Sequence, residues 1–598
     1  MSAPFIPRKL QENGAKLRSN AAYHYKENGA WTMVTWGQYA TEVRQAARAM
    51  IQLGFQPSDT TCILGFNRPE WTIFDLATMT AGGACAGIYT TNSPEEVAYI
   101  VNHAESRLLL LEDAGQWAKV EGQLDDLKTL THVVMMRGAA EIQHEKVLTW
   151  DAFMALGDQQ DDASVDERLA GLEADQLATL IYTSGTTGPP KGVMLSHDNL
   201  AWTSNQITKV LDIGPSDRVV SYLPLSHIAE QLFSIHGPVT LGFEVYFSEG
   251  LEQLKENLVE ARPTVFFGVP RIWEKFYTAL SEKLAMATGT KAKLVAWARG
   301  VGGRVHALKN AGESVGPILS IQYKLASRLI FSKVLSALGF DETRYFVSGA
   351  APVSREILEF FSTIDIPVLE VYGQSEDCGP TTINRPGNTR LGSVGLPFPG
   401  VEVSLGDPTD GNEDGEILVR GRNVFQGYYK DPEATAATLV DGWLQSGDLG
   451  RFDGDGFLSI TGRSKEIIIT AGGKNIAPKN IEAALKNDPL VAEAIVIGDR
   501  RKFLSALICM DDEAAITFAQ SKGVDSDSVR ESDVARQHLQ TLVDEVNARF
   551  ARVEHVRKFS ILPRVLTVDD GELTPTLKVK RRIVAENWSD TIEAMYQD

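Results

Sequence analysis

The sequence predicts an α/β protein: a large N-terminal domain of two α/β subdomains plus a small β-barrel, followed by a small α+β C-terminal domain. Three observations carry this expectation. Short apolar runs alternate with helical patterns up to about residue 160 and again from about 177 to 400, the rhythm of strands interleaved with helices. From 400 to 462 the pattern changes to short alternating strands separated by Gly/Asp turns, which suggests a small barrel or sandwich. The chain has 598 residues, more than a single hydrophobic core accommodates.

Taken in order, helical periodicity covers 36–53 and 69–81, and short apolar strands are expected at 61–65, 108–111 and 133–136. Residues 157–176, rich in Asp, Glu and Gln, read as a surface linker. A strand at 177–182 opens the second α/β stretch, and further strands are expected at 218–222, 264–267, 345–347 and 368–372. Residues 275–338 read as long amphipathic helices around a Gly-rich break at 300–303, a segment that would extend a tunnel, touch a membrane or simply pack. The last 130 or so residues mix strands and helices and suit a compact terminal domain.

Composition narrows the function classes. The chain is 43% hydrophobic and 23% charged, and 58 Lys and Arg stand against 78 Asp and Glu, a net charge of -20. A polyanion would be repelled over most of such a surface, so no nucleic-acid partner is expected, and an anionic substrate must meet local cations or a bound metal. The four cysteines form no CxxC pair, which points to a reducing compartment. With no signal-peptide pattern and no bilayer-length apolar run, a cytoplasmic protein is expected, with peripheral membrane contact left open.

The most informative segment reads Tyr-Thr-Ser-Gly-Thr-Thr-Gly-Pro-Pro-Lys from Tyr182 to Lys191. Glycines let backbone N–H groups approach an anion, hydroxyls add donors, and the lysine adds a mobile positive charge. It is not a Walker loop, because Lys191 lies between Pro190 and Gly192 rather than between Gly and Ser or Thr. Residues 192–196 look extended, so the loop must hold phosphate without a helix N-terminus behind it. Val-Tyr-Gly-Gln-Ser-Glu at 371–376 ends a strand with an aromatic, a glycine and an acid, where open α/β sheets bind ligands. Tyr372 could stack on a base, and Glu376 could hold a hard cation such as Mg²⁺. Asp448, after Ser446 and Gly447, could accept both hydroxyls of a ribose. Arg463, Lys465 and Lys474 surround an apolar strand and the double glycine Gly472-Gly473, and a basic run follows Leu577.

In order and wording these segments resemble the adenylate-forming (ANL) superfamily, and Leu-Pro-Leu-Ser-His-Ile-Ala-Glu at 223–230, Phe-Gly-Val-Pro-Arg-Ile-Trp at 267–273 and Thr-Ala-Gly-Gly-Lys-Asn-Ile-Ala-Pro at 470–478 look most like long-chain fatty acyl-CoA synthetases. The resemblance implies an ATP-dependent long-chain fatty acid:CoA ligase that uses Mg²⁺, with ATP, CoA and a fatty acid as substrates. It implies that Thr183, Ser184, Gly185, Thr186, Thr187, Gly188 and Lys191 cover the β- and γ-phosphates, with Thr186 and Lys191 among the catalytic groups. Gly349, Ala350, Tyr372, Gly373, Gln374, Ser375, Asp448 and Arg463 would surround the nucleotide, and Glu376 would hold Mg²⁺. Lys578 would bridge the carboxylate and the α-phosphate, while His227, Gly472, Gly473 and Lys474 would border the acyl pocket and CoA channel. Lys465 would be the hinge between an adenylation domain, 1–464, and a mobile C-terminal domain, 465–598.

Ser375 stands where the family more often has Thr, which keeps a hydroxyl. Two alternatives share the first half-reaction: a fatty acyl-AMP ligase that loads a carrier protein, and a CoA ligase for a medium-chain or aryl acid. The intact Gly472-Gly473-Lys474 segment favours CoA. Gly-x-Ser-x-Gly occurs at Gly312–Gly316, but inside the helical stretch 275–338 with no strand before it, so it does not support a hydrolase elbow.

Overall fold

The structure is a computed structural model that describes residues 4–183, 189–407, 414–471, 474–574 and 577–597, with Asn475 described for its backbone only. The expected α/β rhythm builds two main sheets. The first has eight strands, in spatial order Gly427–Tyr428, Lys191–Ser196, Leu177–Thr183, Ala84–Ile88, Thr60–Leu64, Ser106–Leu111, His132–Met135 and Val147–Thr149. From Leu177–Thr183 to Val147–Thr149 the strands run parallel, and Lys191–Ser196 returns antiparallel to Leu177–Thr183. The phosphate-type loop is therefore a hairpin connection. Its residues Ser184, Gly185, Thr186, Thr187 and Gly188 lie outside the described residues.

The second sheet orders Val265–Gly268, Tyr345–Ser348 and Val368–Tyr372 in parallel and adds Thr382–Ile383 and Leu396–Pro397 antiparallel. Alternation along its strands separates two cores. Phe266 and Phe346 pack with Trp273 and Phe361 on the helical side, while Val265, Phe267 and Val347 face a cavity on the other. A four-stranded sheet, Arg218–Ser221, Glu244–Phe247, Ala21–Glu27 and Ala30–Thr35, joins the chain's start to its middle.

Three expectations change. The segment 157–176 contains a helix, Asp162–Ala170, capped by the Asp161 carboxylate and burying Val165 and Leu169; Arg168 donates to the carbonyls of Phe55 and Ala81, so it is packed structure and not a linker. The helix Gly289–Asn310 runs unbroken through Gly300–Gly303. Gly302 is there for proximity: a Cβ on it would stand 2.5 Å from the Thr363 carbonyl oxygen. The region 400–462 forms an antiparallel sheet of Glu402–Leu405, Gly415–Arg420, Trp443–Phe452 and Leu439–Val440, with Leu458–Arg463 also on Trp443–Phe452. Among the described residues no pairing closes it, so it is an open sheet where a barrel was expected.

The C-terminal stretch has cores of its own. Antiparallel strands Val491–Ile497 and Leu504–Met510, with Val556–Ile561 parallel to the latter, carry helices on both faces. Those cores draw only on residues after 467.

Candidate active site

The strand Val368–Tyr372 delivers the first group of side chains. Gly373 is required by a close backbone approach, because a Cβ there would lie 1.4 Å from the Gly379 carbonyl oxygen. The turn that follows is held by Asp377, which is buried and accepts from the Gln374 amide at 2.6 Å and from Thr381 Oγ1 at 2.6 Å. Burial pushes its carboxyl up to about 8, so it is protonated at neutral pH. This turn presents Tyr372, Gln374, Ser375 and Glu376 together.

Asp448 meets them from the open sheet of residues 402–463. Ser446, Gly447 and Asp448 sit where the pairing of Gly415–Arg420 with Trp443–Phe452 shifts register, and Gly447 takes φ +72°, a conformation glycine adopts without strain. Asp448 Oδ2 accepts from Tyr372 Oη at 2.9 Å and from Gln374 Nε2 at 2.6 Å. Arg463, its cross-strand partner in the register, pairs with Oδ1 at 3.5 Å. Tyr372 is 7% exposed, and its hydroxyl is committed to Asp448.

Glu376 and Lys191 form a second, linked group. Tyr428 Oη donates to Glu376 Oε1 at 2.8 Å, and the Lys191 ammonium lies 4.9 Å from the Tyr428 ring centroid and 3.6 Å from Asp431 Oδ2. Sequence reasoning missed Tyr428, because nothing in Gly-Tyr-Tyr-Lys-Asp links position 428 to Glu376 until Gly427–Tyr428 pairs with Lys191–Ser196.

The third group is an apolar cavity. Its walls include Val219, Phe243, Val265, Phe267 and Val347, and its polar end is bordered by His227, Ala350, Gly373 and Gln374. Phe233 stacks on Phe267 with centroids 4.8 Å apart and closes one side. Ala350 holds φ +68°, and Gly349 is packed so that a Cβ would sit 2.7 Å from Val371 Cγ1. His227 caps the short helix Ile228–Gln231 by accepting from the Ala229 amide at Nδ1, 3.2 Å away. Burial, with a contribution from the Lys578 charge, pulls its imidazole down to about 4. A neutral ring that accepts at Nδ1 carries its proton on Nε2. The loop bearing His227 is fixed by buried Glu230, a second residue with no role assigned from sequence. Glu230 Oε1 accepts from Ser221 Oγ at 2.8 Å, Ser234 Oγ at 2.7 Å and the Tyr222 amide at 3.2 Å, and burial raises its carboxyl to about 7.

Lys578 enters from the C-terminal stretch, its amide donating to Thr574 Oγ1 at 3.0 Å. Crowding by protein lowers its pKa, Arg463 and Lys479 add to that, and Asp448 and Glu376 oppose it. The residue is exposed, so the dehydration is partial. The structure thus brings Lys578, Asp448, Glu376, Arg463 and His227 to one cleft. Lys465 and Lys474 are exposed and join no hydrogen bond around Asp448; the Lys474 amide donates to Thr470 Oγ1 at 3.2 Å. Gly472 and Gly473 lie outside the described residues.

The arrangement holds paired acids and cations around a strand end, next to an apolar cavity with a polar mouth. Comparison with known proteins agrees with it. A family profile described as AMP-binding enzyme matches residues 10–429, and one described as AMP-binding enzyme C-terminal domain matches 465–598. Long-chain-fatty-acid–CoA ligase ACSBG2 of Homo sapiens is 38% identical over 624 residues, covering 99% of this chain and 92% of the relative. Long-chain-fatty-acid–CoA ligase ACSBG1 of Mus musculus is 36% identical over 613 residues, covering 98% and 84%. Among solved structures, the anthranilate CoA ligase AuaEII in complex with anthranoyl-AMP superposes with TM-score 0.73 at 20% identity, covering 98% of each chain. The A-PCP didomain of a carboxylic acid reductase from Segniliparus rugosus in complex with AMP gives TM-score 0.75 at 20% identity, covering 100% of this chain and 82% of that one. These two likenesses concern the fold. By its profile matches and its near-full-length relatives, the chain belongs to the AMP-binding enzyme family.

Proposed function

We propose that this protein is an ATP-dependent long-chain fatty acid:CoA ligase that works through an acyl-adenylate. The observation that carries the reading is the apolar cavity lined in part by Gly373 and Gln374, the latter bonded to Asp448, whose charge and that of Glu376 act on Lys578. An acyl chain in the cavity presents its carboxylate where a nucleotide's α-phosphate would lie. The relatives named as long-chain-fatty-acid–CoA ligases supply the substrate class.

In the first step a carboxylate oxygen attacks the α-phosphorus of ATP, and the bond to the β-phosphate breaks, giving acyl-AMP and pyrophosphate. The carboxylate is already a nucleophile, so no general base is needed; alignment and charge neutralisation are. Lys578 supplies positive charge between the two anions, Asp448 takes the ribose hydroxyls, and Lys191 with residues 183–188 takes the departing phosphates. His227, neutral at physiological pH, adds no second cation to the pocket mouth and can donate from Nε2. Glu376 fits Mg²⁺: one of its oxygens is held by Tyr428, and this ion commonly takes one or two carboxylates together with phosphate oxygens. When bound, the ion would neutralise phosphate charge.

In the second step the CoA thiol sulfur attacks the acyl carbon, and AMP leaves with the bridging oxygen. Our reading is that residues 465–598 turn about Lys465, withdraw Lys578 and bring the Gly472-Gly473-Lys474 segment to the site. The polar links across this boundary support it. Arg271 to Asp511 at 3.3 Å and Arg549 to Glu356 at 2.7 Å are exposed ion pairs, and such pairs are worth about 0–1 kcal/mol each, a weak latch suited to a unit that moves.

The test is to incubate the protein with ATP, Mg²⁺, CoA and a mixture of carboxylic acids and to identify products by mass spectrometry. Long-chain acyl-CoA with matching AMP is expected; a preference for aryl acids, or AMP release with no thioester, would overturn the assignment.

A further inference from the structure

The helix Pro317–Ala326 carries apolar residues on two faces, and only one of them is used. Leu319, Tyr323 and Ala326 pack against Val301 and Val305 of Gly289–Asn310. The helix is also pinned to the body, because Tyr323 Oη donates to Asp365 Oδ1 at 2.5 Å and Asp365 is held in turn by His306 Nε2 at 2.8 Å. On the other face Ile318, Ile321 and Leu325 are 75%, 69% and 49% exposed. Their spacing of three and four residues places them in one line along the helix. Three large aliphatic side chains held in water on an anchored helix form a patch of the kind that marks a contact surface.

The charge around the patch identifies the partner. Lys324 and Arg328 are exposed beside it. On the neighbouring helix Arg304 and Lys309 are also exposed and reach this one, Arg304 at Gln322 Oε1, 3.4 Å away, and Lys309 over the Tyr323 ring, 4.8 Å from its centroid. A second copy of the protein is a poor match, since a twofold contact sets each patch against its own image and brings like cations together. A surface combining hydrocarbon with negative charge suits both features. We propose that the face formed by Ile318, Ile321 and Leu325, flanked by Lys324 and Arg328, docks the protein on an anionic lipid bilayer.

The contact lies in the interfacial plane. Among the described residues no helix is long and apolar enough to cross a membrane. An amphipathic helix of this type buries its apolar side chains at the boundary of headgroups and acyl chains, and nearby Lys and Arg add attraction to anionic lipid. The patch lies on the outer helical layer, whereas the apolar cavity borders the opposite face of the second sheet. Docking is therefore separable from the chemistry.

The inference stands independently of the ligase reading, and flotation tests it. Purified full-length protein is mixed with vesicles of phosphatidylcholine alone or of phosphatidylcholine with phosphatidylglycerol. Flotation with the anionic vesicles only, declining as salt rises, is expected. The triple substitution Ile318→Ser, Ile321→Ser, Leu325→Ser changes exposed positions, so the melting temperature and the activity on detergent-dispersed substrate should be kept. Vesicle binding should fall on the order of tenfold or more. Lys324→Glu with Arg328→Glu should lower binding to anionic vesicles on the order of tenfold. Absence of flotation by the wild type, or equal flotation by the triple variant, overturns the proposal. So does sedimentation showing a dimer that the serine substitutions dissolve, because the patch would then be covered by a second copy.

Discussion

Replacing Lys578 with alanine should separate the two half-reactions. The Lys578 amine stands among Asp448, Glu376, Arg463 and Lys479 and is felt by His227 across the cleft. Lys479, the other lysine of that set on the C-terminal unit, is paired with Glu466 at 3.0 Å. Removing one preorganised positive group at the point where charge shifts in the transition state costs roughly 10²–10³ in rate, or about 3–4 kcal/mol. Adenylate formation, followed by pyrophosphate–ATP exchange, should fall by that factor, while thioester formation from supplied acyl-AMP should change by less than about threefold. Imidazole titration by NMR gives a geometric control. A nearby ammonium holds the His227 pKa down, so its loss should raise that pKa from about 4, though burial keeps it below the usual value near 6.5. Equal loss of both half-reactions would refute the division of labour, and an unmoved His227 titration would refute the placement of Lys578.

Other perturbations address the supports of the site and fold. Lys465→Pro should block the turn of the C-terminal unit, sparing pyrophosphate exchange while reducing acyl-CoA formation at least about tenfold; undiminished acyl-CoA production would count against the hinge. Tyr428→Phe removes the donor to Glu376 Oε1 but keeps the ring under Lys191, so the Mg²⁺ concentration for half-maximal exchange should rise about 10-fold, as loss of a group orienting a metal ligand usually does. Gly302→Ala forces a Cβ to 2.5 Å from the Thr363 carbonyl oxygen and should cost about 1–3 kcal/mol in a denaturant melt. Gly300→Ala meets nothing within 4 Å and should stabilise by about 0.5–1 kcal/mol. Asp75 is fully buried with its carboxyl raised to about 8. The native state therefore keeps a proton that the unfolded chain sheds above about pH 4. That contribution is complete below the unfolded value and disappears as the pH climbs through 8. Asp75→Asn should raise the melting temperature at pH 9 more than at pH 5, and a uniform shift would contradict the raised pKa.

The regular elements were readable because their signals are local. The strand Val368–Tyr372 matches its expected bounds, since a β-rich apolar run ending in Tyr-Gly needs no distant information. Helices Trp36–Gln52 and Pro69–Thr80 follow from periodicity, a Thr35 cap and a proline at the first turn. The errors arose where one residue type serves two physical purposes. Gly302 read as a helix break but supplies close packing on the Thr363 backbone. The acidic run 157–176 read as solvated, yet Asp161 caps a helix whose Val165 and Leu169 are buried. Closure of a sheet depends on long-range pairing, so the alternation at 400–462 could not distinguish a barrel from an open sheet. Motif residues could be named singly, and their relations could not. That Tyr372 and Gln374 both hold Asp448, that Tyr428 steadies Glu376, and that Glu230 anchors the His227 loop are facts of tertiary contact.

The central claim is that the carboxylate attacks the α-phosphorus, and isotope transfer tests it most directly. Fatty acid labelled with ¹⁸O in its carboxylate is turned over with ATP, Mg²⁺ and CoA, and the products are weighed by mass spectrometry. The account predicts one ¹⁸O in each AMP released and none in pyrophosphate, because the attacking oxygen stays on phosphorus when the thiol displaces AMP. Label appearing in inorganic phosphate with ADP as co-product, or AMP formed without label, would contradict it.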